Sequence, residues 1–442
     1  MSLSVKIILV VSLVNLWCYF LEISAVPVVQ NSLLVISYDA FRNEYLSRNI
    51  TPFLNNFRAE GVSVPYMRNV FPTKTFPNHH SIATGLFPGT HGVTANSVFD
   101  LKSGKVLEYG HQLFHYNEAI LPIWTLNQIR GRHSGCMMWP GSDFSYAGVN
   151  CTYVQAYNRS ISWDDRVDRS ISWLRNPEKP ANLIMMYFED PDSHGHIYGP
   201  DSLVIRDLII KLDNLTKSIH EKLRFFNLTD HVNVIHLSDH GMLGVSSSYF
   251  IDLRQFVNNN TCDFHGTSPV LQVVPKPGKF DEVYQSLKSG AAANKHFKVY
   301  SNADLLPRWN FNNSQRSGPI TALADPGYAF QDMYEAAEYY AKTYNISITP
   351  NYKFGVHGYD NKDLPDMYSM FMAKGPDFQE RKVLQPFDSV DLYSLFVKIL
   401  NLSDPPPTNG SLTVVGEALK SSNLSRGHQK DPKVSAAIVA RS

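Results

Sequence analysis

An α/β fold, with a mostly parallel central sheet between helices, follows from two patterns in the sequence. Apolar runs recur that end on a carboxylate: SLLVISYD (32–39), NLIMMYFEDPD (182–192) and NVIHLSDH (233–240). Continuous apolar runs of this length suit strands buried on both faces. Helical patterns lie between them, and strand alternating with helix is the grammar of a layered α/β domain whose site sits at the sheet's C-terminal edge.

Taken in order, the chain opens with Lys6 ahead of IILVVSLVNLWCYFL (7–21), followed by the small residues Ser24 and Ala25. This predicts a secretory signal over residues 1–25. A retained signal-anchor holding the protein at the cell surface is the competing reading, because apolar residues continue over 23–29. The first strand, 32–39, is followed by TPFLNNFRAEG (51–61), a helix with Pro52 just inside a Thr cap and a stop at Gly61. The stretch 202–223 carries Ile205, Leu208, Ile209, Leu212, Leu215 and Ile219 at helical spacing and predicts an amphipathic helix. SPVLQVVP (268–275) and SMFMAKG (369–375) read as further strands, and SVDLYSLFVKIL as a late helix before the breaker DPPPTNG (404–410). No linker-like segment divides the middle, so one catalytic domain over 28–420 is expected, with a polar tail at 421–442. That tail carries neither a spanning segment nor a glycolipid-anchor signal.

Of the 442 residues 43% are hydrophobic and 18% charged, enough for a large core and without the signature of disorder. Forty basic residues balance forty acidic ones, so neither a nucleic-acid polymer nor an anionic membrane is expected as the main partner. Eleven Asn-x-Ser/Thr acceptors, from Asn49 to Asn423, fit a glycosylated extracellular protein. Cys18 leaves with the signal; Cys136 and Cys151 are close enough to pair, leaving Cys262 free or intermolecular.

Chemistry concentrates in DPDSHGH (190–196), SDHG (238–241) and GVHG around His357. Asp192 and His196 are four apart: a helical turn puts them on one face, and a loop still leaves both within reach of one ion. With Asp39, Asp239, His240 and His357 they make six oxygen and imidazole ligands without a thiolate, which suits a catalytic zinc. One zinc needs three or four of them, whereas a pair about 4 Å apart uses all six. TKTFPNHH (73–80) then gains a purpose, because the Thr75 hydroxyl is a poor nucleophile until a Lewis acid or base activates it. Asn78 and His79 are as readily explained by bonds to the local backbone. Asn96, in HGVTANS, is either a donor to a phosphoryl oxygen or an Asx-turn residue.

In SYDAFRNEYL, FPTKTFPNHHSIATGLFPGTHGVTANS, MWPGSD, YFEDPDSHGHIYGP, LSDHGM and GVHGYDN, running from residue 37 to 361, the chain resembles the ectonucleotide pyrophosphatase/phosphodiesterase family of the alkaline-phosphatase-like superfamily. The resemblance implies an alkaline-phosphatase-like core and two zinc ions, one held by Asp192, His196 and His357, the other by Asp39, Asp239, His240 and Thr75. It implies Thr75 as the nucleophile of a covalent intermediate, and Asn96 as the holder of a non-bridging phosphoryl oxygen. It places Phe76, Trp139 and Tyr157 around a nucleobase, with Glu189 and Tyr187 beside the substrate. His80 stands where many relatives carry Tyr, at what would be the pocket rim. The chain is most like the compact members, without the Cys-rich and nuclease-like modules of larger ones. The expected activity is hydrolysis of small nucleotide phosphodiesters or pyrophosphates with release of a nucleoside 5′-monophosphate. A choline-phosphodiester hydrolase, which would want an aromatic and acidic cage, and a catalytically silent binding protein on the same scaffold are the alternatives.

Overall fold

The computed structural model describes residues 32–258, 260–313 and 315–421. The signal reading at 1–25 and the tail from 422 onward lie outside the described residues. Eight strands form the central sheet: β1 (Ser32–Tyr38), β2 (Val62–Ser63), β3 (Ser134–Met137), β4 (Tyr153–Gln155), β5 (Leu183–Phe188), β6 (Val232–Leu237), β7 (Phe371–Lys374) and β8 (Lys382–Val383). Their spatial order is β8-β2-β7-β6-β1-β5-β3-β4. From β6 to β4 all neighbours are parallel, and β7 runs antiparallel to both β6 and β2.

β1 shows why the apolar runs become central strands. All seven of its residues are buried, and alternate side chains enter different cores. Leu33 and Val35 join the core that includes Trp124, Leu392 and Phe396; Leu34, Ile36 and Tyr38 join the one containing Ile205, Ile209 and Leu212. A strand with period two between two helical layers must be apolar on both faces.

Helices α1 (Pro52–Glu60), α3 (Trp163–Leu174) and α5 (Leu203–Phe225) cover one face, and α2 (Thr75–Thr84) and α6 (Asp391–Ile399) the other; between α3 and α5 in the chain lies the short α4 (Asp192–Tyr198). The cap of α1 differs from expectation. The Thr51 hydroxyl makes no cap bond and is buried without a partner; instead Phe53 N and Leu54 N donate to the Asp213 carboxylate of α5 at 3.1 and 2.8 Å. A tertiary carboxylate therefore does the work of a local cap.

A second, antiparallel sheet runs in the order Cys262–Thr267, Val270–Pro275, Ile320–Ala324, Phe297–Ser301. Its edge reaches the loop before Thr75, since Lys74 Nζ donates to Ser268 O (2.5 Å) and Thr267 Oγ1 (3.1 Å). A ribbon of Leu243–Ser246 against Lys353–Val356 lies beside α4. Cys136 and Cys151 form a disulfide, and Cys262 is free and buried.

Candidate active site

Strand adjacency assembles the cluster. Asp39 follows β1, Asp239 follows β6 and Asp192 opens the helix after β5, and β1 is hydrogen-bonded to both other strands in parallel. Three carboxylates separated by up to 200 positions thus leave one edge side by side. His240 comes with Asp239, and His196 with Asp192 one helical turn on. The ribbon delivers His357 immediately after Val356. One ligand atom from each of Asp39, Asp239 and His240 lies within 4.8 Å of the others, as does one from each of Asp192, His240 and His357. His196 Nε2 is 3.4 Å from Asp192 Oδ1 and 3.2 Å from His357 Nε2.

The hydrogen bonds fix the histidine tautomers. His240 Nδ1 meets Gly241 O, His196 Nδ1 meets Gly355 O and His357 Nδ1 meets Thr73 O, each at 2.8 Å. A carbonyl only accepts, so every Nδ1 carries the proton, and burial keeps His240 and His357 well below the ordinary histidine pKa. The Nε2 atoms therefore all face inward, those of His196 and His357 3.2 Å apart. Asp39 Oδ1, Asp192 Oδ1 and Asp239 Oδ2 are buried there without a hydrogen-bond partner. Burial, then the charges of Asp239 and Asp192, hold the Asp39 carboxyl well above the usual carboxylate range; burial likewise raises Asp192 and pushes Asp239 up to about 8. Lone pairs and anions crowded together away from water need a cation, and the donor set of oxygen and imidazole fits metal ions.

Thr75 opens α2, with Oγ1 3.3 Å from His240 Nε2. Asn78 holds the loop shut: its Oδ1 accepts from Val70 N (2.8 Å) while Nδ2 donates to Lys74 O (2.9 Å) and Pro72 O (3.2 Å). His79 donates through Nδ1 to Thr75 O (2.8 Å) and accepts through Nε2 from Ser37 Oγ (2.9 Å). Asn78 thus bonds locally, and His79 both locally and to β1. Asn96 Oδ1 accepts from Phe76 N at 2.9 Å, which fixes the amide so that its NH₂ is the end left for a ligand. His80 is not at a rim: it is wholly buried, its ring 4.8 Å from His91 and 5.4 Å from Phe114.

A cavity of about 390 Å³ opens beside the cluster, lined by Asp39, Thr75, Phe76, Tyr109, Met138, Pro140, Tyr157, Tyr187, Glu189, Asp192 and Ser193. Phe76, half-buried, packs against Tyr109 (5.3 Å between centroids), and Tyr157 stands 45% exposed on the other wall. Tyr187 donates to Asp39 Oδ2 at 2.5 Å. Trp139 does not reach this cavity. It is 1% exposed, edge-on to His79 at 4.9 Å, because the segment after β3 turns its neighbours Met138 and Pro140 into the cleft instead. Met138 and Pro140 flank Trp139 within MWPGSD without being candidates themselves, and no local pattern marks Tyr109.

Glu189 also differs from a free cage carboxylate. Arg166 of α3, fully buried, donates Nη1 to its Oε2 (2.5 Å) and Nη2 to its Oε1 (3.0 Å). Both oxygens are thus occupied by a planar cation. Arg166→Ala strands that carboxylate, and unfolding titrations are expected to show a loss of about 3–5 kcal/mol.

The model of the type I phosphodiesterase/nucleotide pyrophosphatase family matches residues 33–360, which span every residue of this cluster. The chain belongs to this family. Among relatives of this nucleotide pyrophosphatase/phosphodiesterase group, it is 36% identical over 395 residues to ectonucleotide pyrophosphatase/phosphodiesterase family member 5 of Homo sapiens, covering 89% of this chain and 79% of that one. It is 36% identical over 383 residues to the bis(5′-adenosyl)-triphosphatase of Homo sapiens, covering 86% and 80%. The solved structure of murine ectonucleotide pyrophosphatase/phosphodiesterase 5, as an inactive threonine-to-alanine variant in complex with AMP, superposes with a TM-score of 0.79 at 35% identity, over 88% of this chain and all of that one. The family's α/β core is the fold described above.

Proposed function

We propose that the protein hydrolyses small nucleotide phosphodiesters and pyrophosphates through a covalent Thr75 intermediate, releasing a nucleoside 5′-monophosphate. The observation that carries this reading is the position of Thr75 Oγ1, 3.3 Å from His240 Nε2, between the ligand cluster and a cavity walled by Phe76 and Tyr157. Two zinc ions, one held by Asp192, His196 and His357 and the other by Asp39, Asp239, His240 and Thr75, would supply positive charge beside the nucleophile and the phosphoryl group.

The chain's own residues do the rest. The first turn of α2, pinned by Asn78 and His79, aims the Thr75 oxygen at phosphorus. A Thr75 O–P bond forms as the bond to the leaving oxygen breaks; the electron pair departs with the alcohol or phosphate, which takes up the proton lost by the hydroxyl. Water then attacks the same phosphorus, the Thr75 O–P bond breaks, and a proton returns to the hydroxyl. The Asn96 NH₂ faces the charge that develops on a non-bridging oxygen, and Phe76 with Tyr157 holds the base by stacking. Asn96→Ala is expected to lower kcat by about 10²–10³-fold with a smaller change in KM, read from steady-state kinetics.

A murine relative whose threonine-to-alanine variant is described as inactive and was captured with AMP supports both nucleophile and product. The Arg166–Glu189 pair argues against a choline diester, since a quaternary ammonium needs an acidic group that is not already neutralised. The test is a panel of dinucleoside polyphosphates, nucleoside triphosphates and a choline phosphodiester with products identified, before chelation, after it, and after zinc is returned. Turnover of the choline compound alone overturns the nucleotide reading.

We also propose export of the protein. Among the described acceptor asparagines, Asn401 is half-buried and Asn49, Asn150, Asn158, Asn214, Asn227, Asn312, Asn345 and Asn409 are exposed, so each presents surface to glycosylation. No helix of the described residues is long and apolar enough to cross a membrane.

A further inference from the structure

A second cavity, of about 430 Å³, lies away from the catalytic cluster, at the N-terminal end of β6. Its apolar wall includes Phe53 and Phe57 of α1, Val232 and Val234 of β6, and Leu223 of α5. The polar group set among them is His220, whose ring lies 5.4 Å from Phe53 and 4.8 Å from Phe57.

A chain of hydrogen bonds fixes what His220 offers. Thr216 Oγ1 donates to Leu212 O (2.8 Å), and a carbonyl only accepts. Thr216 must therefore receive from Tyr38 Oη (2.7 Å), and Tyr38 in turn from His236 Nδ1 (3.2 Å). That leaves His236 Nε2 as an acceptor, filled by the His220 Nε2 proton at 2.9 Å. With its one proton spent on His236, neutral His220 keeps a bare lone pair on Nδ1, for which the described residues provide no partner. Burial depresses the His220 pKa to about 4, so the neutral ring is the form present at physiological pH.

The rim selects against net charge. Arg224, Lys374 and Lys420 face Glu60, Asp230 and Glu380 around the mouth, and Lys374 is already paired with Glu60 at 2.6 Å. An anionic nucleotide gains nothing from so balanced a rim, whereas sugar hydroxyls find both donors and acceptors. We infer that this cavity is a second binding site, for a neutral heteroaromatic molecule of the nucleoside class, whose ring lies against the half-buried Phe53 and whose exocyclic N–H donates to His220 Nδ1.

Calorimetric titration of the metal-loaded protein with adenosine, with AMP present to fill the catalytic cleft, tests this. One adenosine should bind per chain, and purine riboside, which lacks the exocyclic amine, should bind about tenfold more weakly. His220→Phe removes the acceptor while keeping an aromatic ring, and Asn56→Trp narrows the mouth from an exposed position on α1. Each should weaken adenosine by about tenfold or more and leave nucleotide turnover unchanged. Phe76→Ala should leave the adenosine site intact. No heat in the presence of AMP, equal affinity for the two nucleosides, or binding lost in Phe76→Ala but kept in both cavity variants overturns the inference. These outcomes are independent of whether Thr75 is the nucleophile.

Discussion

Replacing Thr75 by alanine is expected to lower kcat by about 10⁴-fold or more while affinity for AMP stays close to that of the unchanged protein. The size of the effect follows from the neighbourhood. Two nearby hydroxyls are committed elsewhere: Thr73 Oγ1 donates to Tyr359 O and accepts from Gly358 N, and Ser37 donates to His79. Neither can turn toward phosphorus without breaking a buried bond, and Ser193, though it lines the cavity, does not open α2 beside His240 as Thr75 does. The cavity walls proposed to hold the base, Phe76 and Tyr157, do not depend on the hydroxyl, which is why binding survives. Stopped-flow single-turnover kinetics and AMP calorimetry on the same preparation separate the two quantities. Undiminished turnover by the alanine variant would remove Thr75 from the chemistry, whatever the substrate proves to be.

The second large effect is expected on metal removal. Chelation should abolish turnover and also lower Tm, because the cluster opposes itself when it lacks cations. His196 Nε2 and His357 Nε2 meet across 3.2 Å, and three buried carboxylate oxygens have no hydrogen-bond partner. An ion present at about a thousandfold excess over its Kd adds about 4 kcal/mol, or roughly 5 °C in Tm for a chain of this size. Differential scanning calorimetry with and without chelator, followed by zinc titration, reads this directly. A Tm indifferent to both additions would argue that the cluster binds no ion.

The central strands were legible because burial on both faces forces an unbroken apolar run, and a carboxylate at its end interrupts the run visibly. The separation of Asp192 from His196 was legible for a similar reason: α4 is helical, and four residues make one turn. Much of the remainder depends on contacts that sequence spacing does not encode. Trp139 lies next to Met138 and Pro140, and which of the three enters the cleft is decided by the turn after β3. Arg166 sits on an amphipathic helix where a basic residue reads as solvated surface, yet it is wholly buried against Glu189. The Asp213 cap on α1 spans 160 positions from Phe53, beyond any local capping signature. Strands of two residues such as β2 and β8 exist only through their partners. The second cavity drew no attention from the sequence at all, since His220 and His236 are ordinary within a helix and a strand until they meet.

The Cys136–Cys151 bond leads to a division of labour under stress. It joins β3, whose exit carries Met138 and Pro140 on one side of the base cleft, to the segment feeding β4, which leads to Tyr157 on the other. The ligand cluster hangs from β1, β5, β6 and the ribbon; neither cysteine lies in any of these, although Cys136 pairs with Met185 of β5. A thiol-rich environment should therefore slacken the grip on the nucleobase before it disturbs the catalytic core. Partial reduction would then yield an enzyme that still cleaves at high substrate concentration but no longer competes for scarce nucleotide.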